Sequence, residues 1–402
     1  MSSVSTHSIC IERIQADLEE MAQNFNSDPT GYNRLAFSKE EDGALEWLRK
    51  KLEELNVTVT QDAVGNVFGR IGPTDKPAVA IGSHLDTVIH GGLFDGALGV
   101  VTGLEVLRVI QENDIQIESP VELIAFRAEE ANPLGGTFGS RALVGQLNVT
   151  PEIEEKLQLV GLTKEDCLSS LQNRNLYKQF VELHIEQGAV LEENQQKIGI
   201  ATGIAGILRV EAIFKGEARH AGTTPMSQRK DALMHAAKFI LQAENTVANY
   251  DPQMVVTIGE LELQPNLASV VPDYVKLTIE IRAMDWDKMV GFKKGLKEYT
   301  DSNCFNVSFT TTVEKKPNDL DKQLQEQIEN VCNQNQIPFR YMMSGANHDC
   351  KSMASIVPSA LIFIPSKDGI SHHPDEFSSW EDIELGAQVY LETVLQLQKG
   401  GM

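Results

Sequence analysis

The chain has 402 residues, 42% of them hydrophobic and 23% charged, enough for a globular protein of more than one domain. Its 57 acidic residues against 35 basic ones leave a net charge of −22, so nothing neutralises phosphates and neither nucleic acid nor an anionic membrane is expected as partner. Plain soluble enzymes carry acidic surfaces of this kind. Five cysteines (Cys10, Cys167, Cys304, Cys332, Cys350) are odd in number and form no Cys-x-x-Cys, the usage of free thiols in a reducing compartment. The opening Met-Ser-Ser-Val-Ser-Thr-His has no basic or apolar leader region, and no run reaches the roughly 18 apolar residues of a membrane span. A cytoplasmic protein is expected.

In chain order, Ile11, Ile14, Leu18 and Met21 fall at helical spacing. Ser38 followed by Glu41 predicts a capping box ahead of a stripe of Leu45, Leu48, Leu52 and Leu55. Short β-rich runs follow at 57–60, 66–71 and 78–81, the last leading into Gly82-Ser83-His84. Leu98, Val101, Leu104 and Leu107 resume a helical pattern, 121–126 reads as a strand with Glu129-Glu130 just past its end, and 180–183 is a strand running into His184. Strands alternating with helices imply an α/β sheet, where ligands gather beyond the carboxyl ends of strands. From about residue 209 the order changes to strand 209–214, helix 231–243, strands 254–261 and 275–282, and helix 286–299. That succession predicts the β-α-β-β-α-β order of a small ferredoxin-like α+β sandwich. Helix returns at 320–333, and 360–364 is a last core strand before His372. The expected organisation is an α/β catalytic domain over 1–208 and 324–402, interrupted by an α+β domain over 209–323.

A lone His or Glu carries little meaning, but these stand together: His84, Asp95, the pair Glu129-Glu130, His184 and His372, each beside glycine or at the end of an apolar run. The set suits a hydrolase with two divalent ions about 3.5–4 Å apart, which share a water and clamp a carbonyl. His84-x-Asp86 offers an imidazole oriented by a carboxylate. Asp95, held by Gly96, can bridge two ions, and the adjacent glutamates can divide metal binding from proton handling. For Glu129-Glu130 alone, a solvated charge pair on a loop is the competing reading. No Gly-x-Ser-x-Gly elbow and no phosphate-binding glycine loop is present.

Several stretches carry a resemblance over nearly the whole length: Asn33-Arg34-Leu35-Ala36-Phe37-Ser38, the block from His84 to Gly96, His184-Ile185-Glu186-Gln187-Gly188, His220-Ala221-Gly222-Thr223-Thr224-Pro225-Met226, and Gly369-Ile370-Ser371-His372. The chain resembles the hydantoinase/carbamoylase branch of the two-metal aminoacylase and carboxypeptidase superfamily. That branch includes N-carbamoyl-L-amino acid hydrolases, yeast-type β-ureidopropionases, and allantoate and ureidoglycolate amidohydrolases.

The resemblance implies a two-metal aminopeptidase-like catalytic domain with an inserted lid and dimerisation domain, in a homodimer. His84 and His184 would hold one ion and Glu130 and His372 the other, with Asp95 bridging and Glu129 as general base. The ions would be zinc or manganese, with cobalt also compatible with N/O donors. It further implies that Arg282 pairs with a small substrate's carboxylate, that His220 stabilises the oxyanion in the other subunit's site, and that Gln187 lies near the scissile group. The chain departs from the branch pattern at Ser269, where Asn is usual, at Asn347, where Gly is usual, and at Ala131-Asn132-Pro133-Leu134. None of these removes a ligand or the base, so they bear on which substrate fits. The resemblance implies metal-dependent hydrolysis of a linear, non-peptide C–N bond in an N-carbamoyl or related N-acyl or ureido L-amino acid. The competing functions are an allantoate or ureidoglycolate amidohydrolase, an aminoacylase or dipeptidase, and a non-catalytic binding protein.

Overall fold

Seven consecutive buried residues, Ala78–His84, form a strand covered on both faces, which is why the run reads as apolar rather than alternating. The computed structural model describes residues 7–172 and 174–399; residues 1–6, on which the no-leader expectation mainly rests, lie outside them. The chain divides into two compact units, Met1–Thr202 with Leu320–Met402, and Gly203–Asp319.

In the first unit four neighbouring strands run parallel, in the spatial order Val121–Phe126, Ala78–His84, Tyr177–Ile185, Ser359–Ile364. Antiparallel strands extend the sheet on one side (Val67–Ile71, then Thr58–Gln61) and on the other (Ile198–Ile204). The helix Ala97–Glu112 is buried on every side from Ala97 to Ile110, which accounts for its near-continuous apolar sequence. Trp380–Gln398 joins it in the core through Tyr390, whose hydroxyl donates to the Val181 carbonyl at 3.0 Å. These contacts leave the carboxyl ends of the four parallel strands at one rim of the sheet.

The second unit is a four-stranded antiparallel sheet in the order Val307–Lys315, Gly206–Lys215, Tyr274–Ala283, Val255–Gln264. The helices Ala232–Tyr250 and Trp286–Ser302 bury Phe239 and Phe292 in its own core with Leu208, Phe214 and Ile279. The chain order of these elements is β-α-β-β-α-β, the ferredoxin-like arrangement. Among the described residues no helix is long and apolar enough to cross a membrane, and all five cysteines are free.

Candidate metal centre

Each of the four parallel strands delivers a candidate ligand to the same rim. His84 ends its strand, His184 is the penultimate residue of Tyr177–Ile185, Glu129-Glu130 follow Val121–Phe126, and His372 follows Ser359–Ile364. Asp95 stands just before the helix that begins at Ala97. Between them Gly96 has φ 64°, and a Cβ there would lie 2.3 Å from the His84 ring, so only glycine lets the Asp95 turn come this close.

Asp95 is the centre of the arrangement. Its Oδ1 is 3.2 Å from His184 Nε2 and 3.9 Å from His84 Nε2, and its Oδ2 is 3.1 Å from His372 Nε2. His372 Nε2 is in turn 3.5 Å from Glu130 Oε1. Two triads with metal-ligand spacing result, His84–Asp95–His184 and Asp95–Glu130–His372, sharing one carboxylate. Glu129 belongs to neither; its Oε2 is 3.9 Å from His84 Nε2.

The donor set fits divalent cations. His184 Nδ1 bonds the Ile185 carbonyl at 2.9 Å, and Gly96 N–H donates to Nε2, so Nε2 carries no proton while facing the Asp95 carboxylate. Two acceptors that close, in a site 2–4% exposed, need a cation between them. The electrostatics agree. Burial pushes Glu129 well above the ordinary carboxylate range, His84 opposing and Glu130 adding to the rise. Burial and repulsion from Asp95 bring Glu130 to about 7. Asp95 is raised by burial too, but the imidazoles of His184, His372 and His84 around it outweigh that and hold Asp95 well below its usual value.

Neighbouring groups fix the backbone. The Asp86 carboxylate accepts the N–H groups of Glu129 (3.0 Å) and Glu130 (2.9 Å), while His84 Nδ1 meets the Asp86 carbonyl at 3.0 Å and its carboxylate only at 3.4 Å. Asp86 thus holds the glutamate pair more directly than it orients His84. Glu41 behaves similarly: Ser38 Oγ accepts Glu41 N–H at 3.2 Å, but the Glu41 carboxylate accepts from Phe37 and from Ala128, the residue before the pair, so half of the expected capping box is diverted to the site. Gln187, at φ 60°, donates from Nε2 to Asp95 Oδ2 at 3.0 Å and to Ser371 Oγ at 3.2 Å. Asn347 Nδ2 lies 3.5 Å from Thr137 Oγ1, beside the loop that carries the glutamates.

A third group, Glu182–His184–His348, also has ligand spacing, but Glu182 already accepts from Ser83 (2.7 Å) and Cys350 N–H (2.8 Å), and His348 Nε2 meets Ser344 Oγ at 2.9 Å. The remaining candidates lie in the second unit. His220 is exposed on a short strand paired with Val270, its Nδ1 accepting Gly222 N–H at 3.1 Å, and Ser269 gives its carbonyl to Ala221 N–H at 2.8 Å. Arg282 bonds Glu280 within its own strand, Nη2 to Oε1 at 2.6 Å.

Residues 80–396 match peptidase family M20/M25/M40. The chain is 36% identical to an N-carbamoyl-L-amino acid amidohydrolase of Geobacillus stearothermophilus, covering 97% of this chain and 99% of that protein. It is 31% identical to the allantoate amidohydrolase of Escherichia coli K12, over 93% and 95% of the two. A hydantoinase/carbamoylase family amidase from Burkholderia multivorans has the same fold at TM-score 0.90 and 28% identity, covering 99% of this chain and all of that one. Two triads at the carboxyl rim of a parallel sheet, joined to a match of this extent, place the chain in peptidase family M20/M25/M40.

Proposed function

We propose that the protein is a metal-dependent amidohydrolase that cleaves a linear, non-peptide C–N bond, with an N-carbamoyl or related N-acyl or ureido L-amino acid as substrate. One observation carries this reading: a single carboxylate, Asp95, is shared by two triads while an adjacent buried carboxylate, Glu129, is in neither. The chain is also similar over its whole length to proteins named for such reactions.

One ion would be held by His84, Asp95 and His184 and a second by Asp95, Glu130 and His372; zinc, manganese or cobalt suits these N/O donors. Bound there, such ions lower the pKa of a shared water and polarise the scissile carbonyl. Glu129 is the general base, taking the proton of the attacking water and returning it to the leaving nitrogen. Asp86 keeps the two glutamates apart in role by holding both their N–H groups. Arg282 anchors the substrate carboxylate through its guanidinium, and His220 stabilises the oxyanion from the partner of a homodimer built on the inserted unit. Gln187 lines the pocket near the scissile group, and Ser269 and Asn347 tune which acyl group it accepts. Free thiols support a cytoplasmic location.

The test is a kinetic panel of N-carbamoyl, N-formyl, N-acetyl and ureido acids, with dipeptides alongside, on metal-loaded protein. A carbamoyl or ureido acid with the highest kcat/KM is the expected result. A dipeptide in first place moves the protein to the peptidases, and inertness on every compound means a binding protein. Heterodimers of Glu129→Gln and His220→Ala, each inactive alone, should regain activity; failure despite subunit exchange removes His220 from the partner's site.

A further inference from the structure

One buried carboxylate near the triads has no part in the chemistry above. Glu376 is 5% exposed and is the acceptor toward three donors around it. Its Oε1 receives the N–H groups of Phe94 (3.0 Å) and Asp95 (3.1 Å), and its Oε2 receives the Ser371 hydroxyl at 2.9 Å. Ser371 precedes His372, and its oxygen accepts from Gln187 Nε2, which also donates to Asp95 Oδ2. The circuit is closed: Asp95 backbone, Glu376, Ser371, Gln187, Asp95 side chain. It ties three segments far apart in sequence, and two of them carry members of the Asp95–Glu130–His372 triad.

The direction of these bonds matters. A carboxylate is acceptor-only, so Ser371 must point its proton at Glu376 and leave a lone pair for the Gln187 amide. That fixes the Gln187 NH2 toward Asp95 rather than its carbonyl. Gly92 makes room for the device, since a Cβ there would come within 2.1 Å of the Glu376 carboxyl group.

We propose that Glu376 is a positioning residue that locks Asp95 and the His372 loop in register, so that the Asp95–Glu130–His372 triad is preset to take up a divalent cation. The proposal rests on the metal reading of the centre. In Glu376→Gln the shape is kept, but the new NH2 must donate to Ser371 Oγ. Ser371 then has donors on two sides and no acceptor for its proton, unless Gln187 turns its carbonyl against Asp95. Groups that orient metal ligands in this way are worth about 10–100-fold in affinity.

The experiment titrates metal-free protein with Co2+, following visible absorption and bound metal per chain, with circular dichroism and Tm as a check on folding. Expected is uptake of two ions by the wild type, and uptake by Glu376→Gln in which one ion binds about 10–100-fold more weakly while fold and the other ion are kept. Gly92→Ala, which pushes the same carboxylate away, should weaken the same ion. Glu122→Gln alters a buried carboxylate at the far end of strand Val121–Phe126 and should leave uptake unchanged. Unaltered Co2+ affinity in a folded Glu376→Gln overturns the proposal alone, and so does equal weakening by Glu122→Gln. No uptake by the wild type overturns the metal reading and the proposal with it.

Discussion

The two triads that meet at Asp95 are built from different material. His84 and His184 are strand residues, each 2% exposed, and the parallel ladder that pairs Phe363 with His184 and His84 with Phe126 sets their positions. His372 sits on a loop at φ 53°, its side chain 50% exposed, and no ladder reaches it. Donors on strands are placed by the fold itself, whereas a donor on a loop needs side-chain hydrogen bonds to hold its segment. The difference predicts one robust ion position and one that depends on its surroundings.

The largest effect should come from removing what the triads share. Asp95→Asn is expected to lower bound metal at both positions and abolish turnover, read by metal analysis of dialysed protein; retention of both ions would show that Asp95 is not the bridge. Glu129→Gln should keep both ions yet lose about 10²–10⁴-fold in kcat, and lost metal with normal turnover in the loaded fraction would return Glu129 to the ligands. Asp86→Asn sharpens the comparison: an amide cannot accept both glutamate N–H groups through both of its terminal atoms, so Glu130 loosens while the strand histidines do not. A loss of about 10–100-fold in affinity should therefore fall on the His372 side alone, and equal loss at both positions contradicts the two modes of construction. Phe239→Ala, deep in the inserted unit, should cost about 3–5 kcal/mol of stability in denaturant unfolding with metal uptake per folded chain unchanged, because all donors belong to the other unit.

Much of this was legible in the sequence because His84, the glutamate pair and His184 stand where an apolar run stops. His84 after 78–81, the glutamates after 121–126 and His184 after 180–183 mark strand ends, and strand ends are where such sheets place their sites. The inserted sandwich was legible from the change in element order. Glu376 and Glu41 were not, because a side chain that accepts N–H groups from a distant segment leaves no periodic trace. Ser38 and Glu41 satisfied a local capping rule, and nothing in their spacing tells that the glutamate also reaches Ala128. Asp86 was read for its nearness to His84, and its bonds to residues 129 and 130 depend on two strands lying side by side.

Strand Ser359–Ile364 lies inside the sheet, between Tyr177–Ile185 and Ile198–Ile204, although it is synthesised long after both. While the ribosome is still making the inserted unit, the emerging catalytic half therefore holds an open slot with two unsatisfied strand edges, a ready template for pairing with other chains. Completion of the sheet and delivery of His372 happen in the same late event. A product terminated before residue 359 is thus an aggregation hazard rather than a weakened enzyme, and chaperone demand during translation follows from the position of one short strand.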